Sequence, residues 1–223
     1  MDLTQKFQQI VNLQNEFNNV INPDWQNAGY DFDTAILVEA VELIDSFHWS
    51  WWKDGVDNLA NAKVEVVDIF HFCLSEWMVT RGSDYGTRLH LGIELAHLAD
   101  KIDWYSIGGE TDTEGYIYLV KNFLKQYSAL HEIANVYSFL TRVAAPLFTS
   151  PEELINMYLA KNILNKIRQE FGYKSGTYIK MWGDVEDNVI AMQLAEANPE
   201  VTFLQLLELV RSYYLEKVAN ARI

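Results

Sequence analysis

The sequence is short of several things, and each shortage removes a class of protein. It has one cysteine, Cys73, inside an apolar run, so no intrachain disulfide can form and a small core residue is the expected role. No apolar stretch reaches membrane-spanning length, and Met1–Ile21 has neither a basic start nor an uninterrupted apolar segment. Neither a span nor a signal peptide is expected, and the cytoplasm is the expected compartment. Basic residues are few, 17 against 31 acids, for a formal net charge of −14. That balance argues against nucleic acid or an anionic membrane as the main partner. Repeats and low-complexity segments are also missing. What is present is a chain of 223 residues with 49% hydrophobic content, enough to bury a core in one sizeable domain or two small ones.

The stretch Ala35–Leu74 carries two acidic words, Glu39-x-x-Glu42 and Glu65-x-x-Asp68. Read as helix, residues three apart share a face, so each word points two carboxylates the same way from a different helix. In Ala35–Ile44 the glutamates are the only polar residues, and in Val64–Leu74 the acids are joined only by His71. Apolar residues on nearly every side predict two largely buried helices, joined by the hairpin-length spacer Asp45–Ala60. A single acidic pair is ordinarily a solvated face. Two pairs meeting in such a core would repel and lose hydration unless protons or cations compensate. A divalent metal is the simplest answer, and an all-oxygen set of Glu39, Glu42, Glu65 and Asp68 favours Mg²⁺, with Mn²⁺ as a substitute.

Around that centre the chain reads as helix after helix. Asp2–Ile21 is amphipathic, anchored by Phe7, Ile10, Val11 and Phe17, and ends before Asn22-Pro23. Gln14 and Asn18 share one of its faces; such amides are ordinarily solvated, but facing the acidic centre they would read the hydrogen-bonding edge of a ligand. Trp25–Asp33 is a loop. Ser46–Asp57 crowds three tryptophans and Phe47 into its first seven residues before an Asp-Gly turn, which suits either a stacking wall or a cap on the helix pair. Ser83–Phe148 is helical, with long helices through Leu89–Ile102 and Tyr116–Leu140, a break at Gly108-Gly109 and a close at Pro146. It is a candidate helical subdomain over residues 83–148. Glu94-x-x-His97 here, and Asp68-x-x-His71 in the second acidic helix, also have metal-ligand spacing.

Ser150-Pro151-Glu152-Glu153 has the start signal of a helix that runs to about Glu170 and stops at Gly172. Lys161, Asn165 and Arg168 fall on one of its faces. Lys161–Lys180 holds five basic residues against one acid inside a strongly acidic chain. A positive island of this kind suits a polyphosphate, although a solvated basic face is the plainer account. Val189–Asn198 and Val201–Val218 look helical, the latter after Pro199, and only Thr177–Trp182 is strand-like. The predicted fold class is all-α, a helical bundle built round two antiparallel acidic helices with a helical insertion.

The two acid words, the aromatic turn ending at Trp51–Lys53, the block Lys161–Lys180 and the EDN word Glu186–Asn188 together resemble the dimeric dUTPase family. That family belongs to the all-α, MazG-like nucleoside triphosphate pyrophosphatases. The likeness implies a homodimer that hydrolyses dUTP to dUMP and pyrophosphate, with dUDP as a further candidate, and holds Mg²⁺ on Glu39, Glu42, Glu65 and Asp68. It also implies that Gln14, Asn18 and Asn165 face uracil, that Trp51 walls the pocket, that Tyr173 and Asn188 contact the sugar, and that Lys161, Arg168 and Lys180 hold the phosphates. Glu39 or Glu42 would act as general base on the attacking water. Two alternatives remain at this level: a broader NTP or dCTP pyrophosphatase of the same class, and a ferritin-like di-metal bundle that would use the Glu-x-x-His spacing.

Overall fold

Apolar residues recurring at helical spacing become helix along most of the chain in the computed structural model, which describes residues 1–110, 112–127, 132–198 and 201–219. The first helix, α1 (Leu3–Ile21), starts where the Asp2 side chain accepts a bond from the Gln5 N–H while the Gln5 side-chain oxygen accepts one from the Asp2 N–H. This reciprocal cap satisfies two of the donors that a helix start leaves open. Phe7, Ile10, Val11 and Phe17 are buried as their spacing predicts. α1 packs against α4 (Tyr85–Asp100), and Gly92 permits the approach: a Cβ there would lie 2.7 Å from Gln8 Cα.

α2 (Phe32–Asp45) and α3 (Leu59–Arg81) form the acidic pair. They run antiparallel, because Asn58 and Asn61 at the start of α3 bond to Ser46 just after α2, while Glu65 further along meets Glu42 further back. The expectation that both helices are largely buried holds for α3 and fails for α2. Only Ile36, Ala40 and Leu43 of α2 are buried, whereas Leu37, Val38 and Val41 are 49%, 47% and 56% exposed. An all-round apolar sequence therefore has one face against α3 and another that is half exposed.

The region after α4 contains α5 (Trp104–Glu110), α6 (Thr113–Tyr127) and α7 (Glu132–Phe139), the last running into a π turn over Leu140–Ala144. Gly108-Gly109 does not break the chain where expected; both residues lie inside α5. The long helix foreseen over Tyr116–Leu140 is α6 and α7, and residues 128–131 between them lie outside the described residues. α6 and α7 are bound to α3 by aromatic packing. Phe139 stacks on Phe70 at 5.0 Å between centroids and meets Trp77 and Phe123 edge-on.

The chain divides into two compact units, Met1–Ile155 and Asn156–Ile223, with the division inside α8 (Pro151–Glu170). Residues 83–148 belong to the first. The second holds most of α8, the two-residue strands β1 (Met181–Trp182) and β2 (Val185–Glu186), α9 (Asp187–Glu196) and α10 (Phe203–Tyr214). Its core includes Ile163, Ile167, Trp182, Val210 and Tyr214. α8 stops at Gly172, with φ +87°, as expected; a side chain there would be strained and would collide with Thr177. Pro199, read as a start signal, lies outside the described residues. Among the described residues no helix is long and apolar enough to cross a membrane.

Candidate active site

Three of the four acids meet. One carboxylate oxygen from each of Glu39, Glu42 and Glu65 lies within 4.8 Å of the others. Glu65 is buried at 7% exposure, Glu39 is partly buried and Glu42 is exposed. Asp68, partly buried one turn further along α3, is not in that trio. Like charges at this separation disfavour one another, and burial of Glu65 adds to the cost. The donor set, all oxygen with no histidine or cysteine, fits a hard divalent ion such as Mg²⁺ and not Zn²⁺. Glu42 and Glu65, but not Glu39, border a hollow of about 650 Å³ whose walls also include Val41, Ile44, Asp45, Ser46, Trp49, Val56, Asn58, Asn61 and Lys121. Lys121 comes from α6, so the helical region after α4 reaches the acidic centre.

The aromatic turn is built as a folded loop. Phe47 is buried against Tyr116 of α6, 5.2 Å between ring centroids. Asp57 accepts the His48 N–H at 2.7 Å and the Thr113 hydroxyl at 2.6 Å. The Thr113 bond first, and the His48 bond second, hold its carboxyl below the usual range. Trp49 packs edge-on against Trp52 and lines the hollow. Trp51, the tryptophan named from the sequence, is 89% exposed and is not among the lining residues.

Gln14 and Asn18 are buried, 3% and 9% exposed. Gln14 Nε2 donates to Asn18 Oδ1 at 2.9 Å and to Ser75 Oγ at 3.0 Å, Asn18 Nδ2 donates to the same hydroxyl at 2.9 Å, and Ser75 donates to His71 O. These amides are thus fixed on α3, where Ser75 follows Asp68 by seven residues and shares its face. Ser75 and Asn61 were missed in the sequence, though both lie on the helical stripe of the acids. The Glu-x-x-His spacings add no ligands. Glu94 accepts from Arg81 at 2.7 Å, His97 is exposed, and His71 Nδ1 bonds to Val67 O of its own helix. The ferritin-like alternative loses its second ligand set.

In the second unit the basic face carries a polar network. Asp187, 1% exposed, accepts from Arg168 Nε at 2.9 Å, from Arg168 Nη2 at 2.8 Å and from the Tyr178 hydroxyl at 2.9 Å. Burial first, and then the charge of Asp187, push the Tyr178 phenol up. Buried Lys161 donates to Asn188 Oδ1 at 3.0 Å, and the Arg168 guanidinium lies 5.7 Å over the Tyr173 ring. The structure therefore brings Lys161, Arg168, Tyr173 and Asn188 together. Asn165 is partly buried on the same helix, and Lys180 is exposed.

A family model described as dUTPase matches residues 6–173, three quarters of the chain. The match takes in the amides of α1, both acidic helices, the aromatic turn and the start of the basic face. No curated protein matches the chain.

Proposed function

The chain belongs to the dUTPase family and is a dUTP diphosphatase, and on that premise we propose how its residues carry out the hydrolysis of dUTP to dUMP and pyrophosphate. The observation that carries the proposal is the trio of carboxylates within 4.8 Å on α2 and α3. Glu39, Glu42 and Glu65, with Asp68 beside them, hold Mg²⁺, and Mn²⁺ substitutes. When bound, the ion supplies charge neutralisation at the reacting phosphate and acidifies the attacking water. Glu42, exposed and lining the hollow, is the general base that orients and deprotonates that water for in-line attack at the α-phosphorus. Glu39 serves as its partner ligand.

Base recognition is assigned to Gln14 and Asn18. A side-chain amide offers a donor and an acceptor to the N3–H and carbonyl edge of uracil. An unconstrained amide flips to suit cytosine, so discrimination requires the amides to be held, as the Ser75 bonds hold Gln14 and Asn18. Trp49 is the aromatic wall in place of Trp51. Lys161, Arg168 and Lys180 are assigned to the phosphates, and Tyr173 and Asn188 to the sugar. The Asp187 carboxylate fixes the Arg168 fork before substrate arrives.

The active species is proposed to be a homodimer, supported by the half-exposed apolar face of α2. The test is pyrophosphate release from dUTP, dCTP and dTTP, with Mg²⁺ and with chelator. Release from dUTP only with Mg²⁺, and selectively over dCTP, is expected. Turnover that survives chelation overturns the metal centre, and equal turnover of dUTP and dCTP overturns the assignment of the amides.

A further inference from the structure

We propose that Asn61 is a positioning residue for the metal centre, holding the Glu65 carboxylate with one hydrogen of its amide and the end of α2 with the other. The inference rests on the reading of the carboxylate trio as a Mg²⁺ site. Asn61 lies one helical turn before Glu65 on α3, which puts the two side chains on one face. Its Nδ2 donates to Glu65 Oε1 at 3.0 Å and to Ser46 Oγ at 2.9 Å. Ser46 is the residue that closes α2; its hydroxyl donates to Glu42 O at 3.1 Å, and its carbonyl accepts the Asn58 N–H at 2.7 Å. One NH₂ group therefore connects the end of one acidic helix to a ligand on the other.

Two features separate this role from a merely structural one. The start of α3 does not need the Asn61 side chain, because Asn58 is the cap and takes the Asn61 N–H on its own side-chain oxygen at 3.1 Å. The chemistry of the donor also matters. A lysine or arginine at this place would neutralise Glu65 and compete with a cation, whereas a neutral amide orients the carboxylate and leaves its charge for the ion. Asn61 acts through Glu65 and not on the reacting atoms.

The experiment measures Mn²⁺ binding by electron paramagnetic resonance of the free ion, alongside kcat, KM and melting temperature. Asn61→Leu keeps the approximate volume and removes both donors. It is expected to raise the Kd for Mn²⁺ by ~10-fold or more. Activity should recover with added Mg²⁺, KM for dUTP should change little, and the melting temperature in chelator should hold within a few degrees. Ser46→Ala removes only the anchor on α2 and is expected to weaken Mn²⁺ by a smaller factor. If Asn61→Leu unfolds, Ser46→Ala decides alone, and unchanged Mn²⁺ affinity there overturns the proposal. A folded Asn61→Leu that binds Mn²⁺ within about twofold of wild type also overturns it. Wild-type protein that fails to bind Mn²⁺ removes the metal reading itself, and this inference with it.

Discussion

At Glu65 burial and like charge act in the same direction, since a carboxylate at 7% exposure sits with two others inside 4.8 Å. Such a group gains most from a cation and loses most in its absence. Glu65→Gln should reduce turnover by at least ~10²-fold at saturating Mg²⁺, because the ligand's charge is lost while its shape remains. In chelator the same variant should melt no lower than wild type, as one of three repelling charges has gone. Added Mg²⁺ should raise the melting temperature of wild type and do less for the variant, since binding to the folded state alone stabilises by mass action. A variant that melts well below wild type in chelator would show that the carboxylate is structural. At Gln14 the question is selectivity. Its amide is fixed by Asn18 and Ser75, so Gln14→Ala should narrow the dUTP over dCTP preference in kcat/KM by ~10-fold or more. An unchanged ratio, with the fold intact, removes Gln14 from base recognition.

At the scale of elements, α3 shows what periodicity reveals and what it hides. Asn61, Glu65, Asp68 and Ser75 fall on one stripe, and the rule that found the acids also reaches the amide and the hydroxyl. Those two went unread because uncharged polar side chains on a helix are ordinarily solvated. The ends of α8 were legible for local reasons, a serine cap and a glycine with positive φ. The cover of α2 was not legible, because a sequence shows which residues are apolar and not what lies against them. Nor was the tie between elements at Glu153, which accepts from Lys63 of α3 and from the Thr149 N–H and hydroxyl. Partial burial raises its pKa, but the bonds from Lys63 and Thr149 outweigh that and hold it below the ordinary range. A depressed folded value means stability that is present above the unfolded pKa of about 4.3 and lost as pH falls through the folded value. Glu153→Gln should therefore cost about 1 kcal/mol at neutral pH, a figure discounted for the exposure of the pair. The urea midpoints of the two proteins should converge in acid; a constant gap from neutral to acid pH would refute the electrostatic account.

For the whole molecule, the discrepancy at α2 has a physical consequence. Leu37, Val38 and Val41 are each about half exposed on a helix that otherwise reads as buried, and a contiguous apolar face of this kind marks a surface that another molecule covers. In the homodimer proposed above, the occupant is a second copy of the chain. Each copy carries a formal charge of −14, so long-range repulsion opposes the association that apolar burial favours, and salt should screen the first while leaving the second. Dimerisation measured by light scattering should therefore tighten as salt is raised. Leu37→Arg places a charge that must be desolvated at the face without touching the hollow, which Val41 lines and Leu37 does not. The variant is expected to scatter as one chain, and its melting temperature should no longer rise with protein concentration as a dimer's does. Wild-type protein that scatters as a single chain at high salt, or a Leu37→Arg protein that remains a dimer, would mean that another surface, or none, joins the copies.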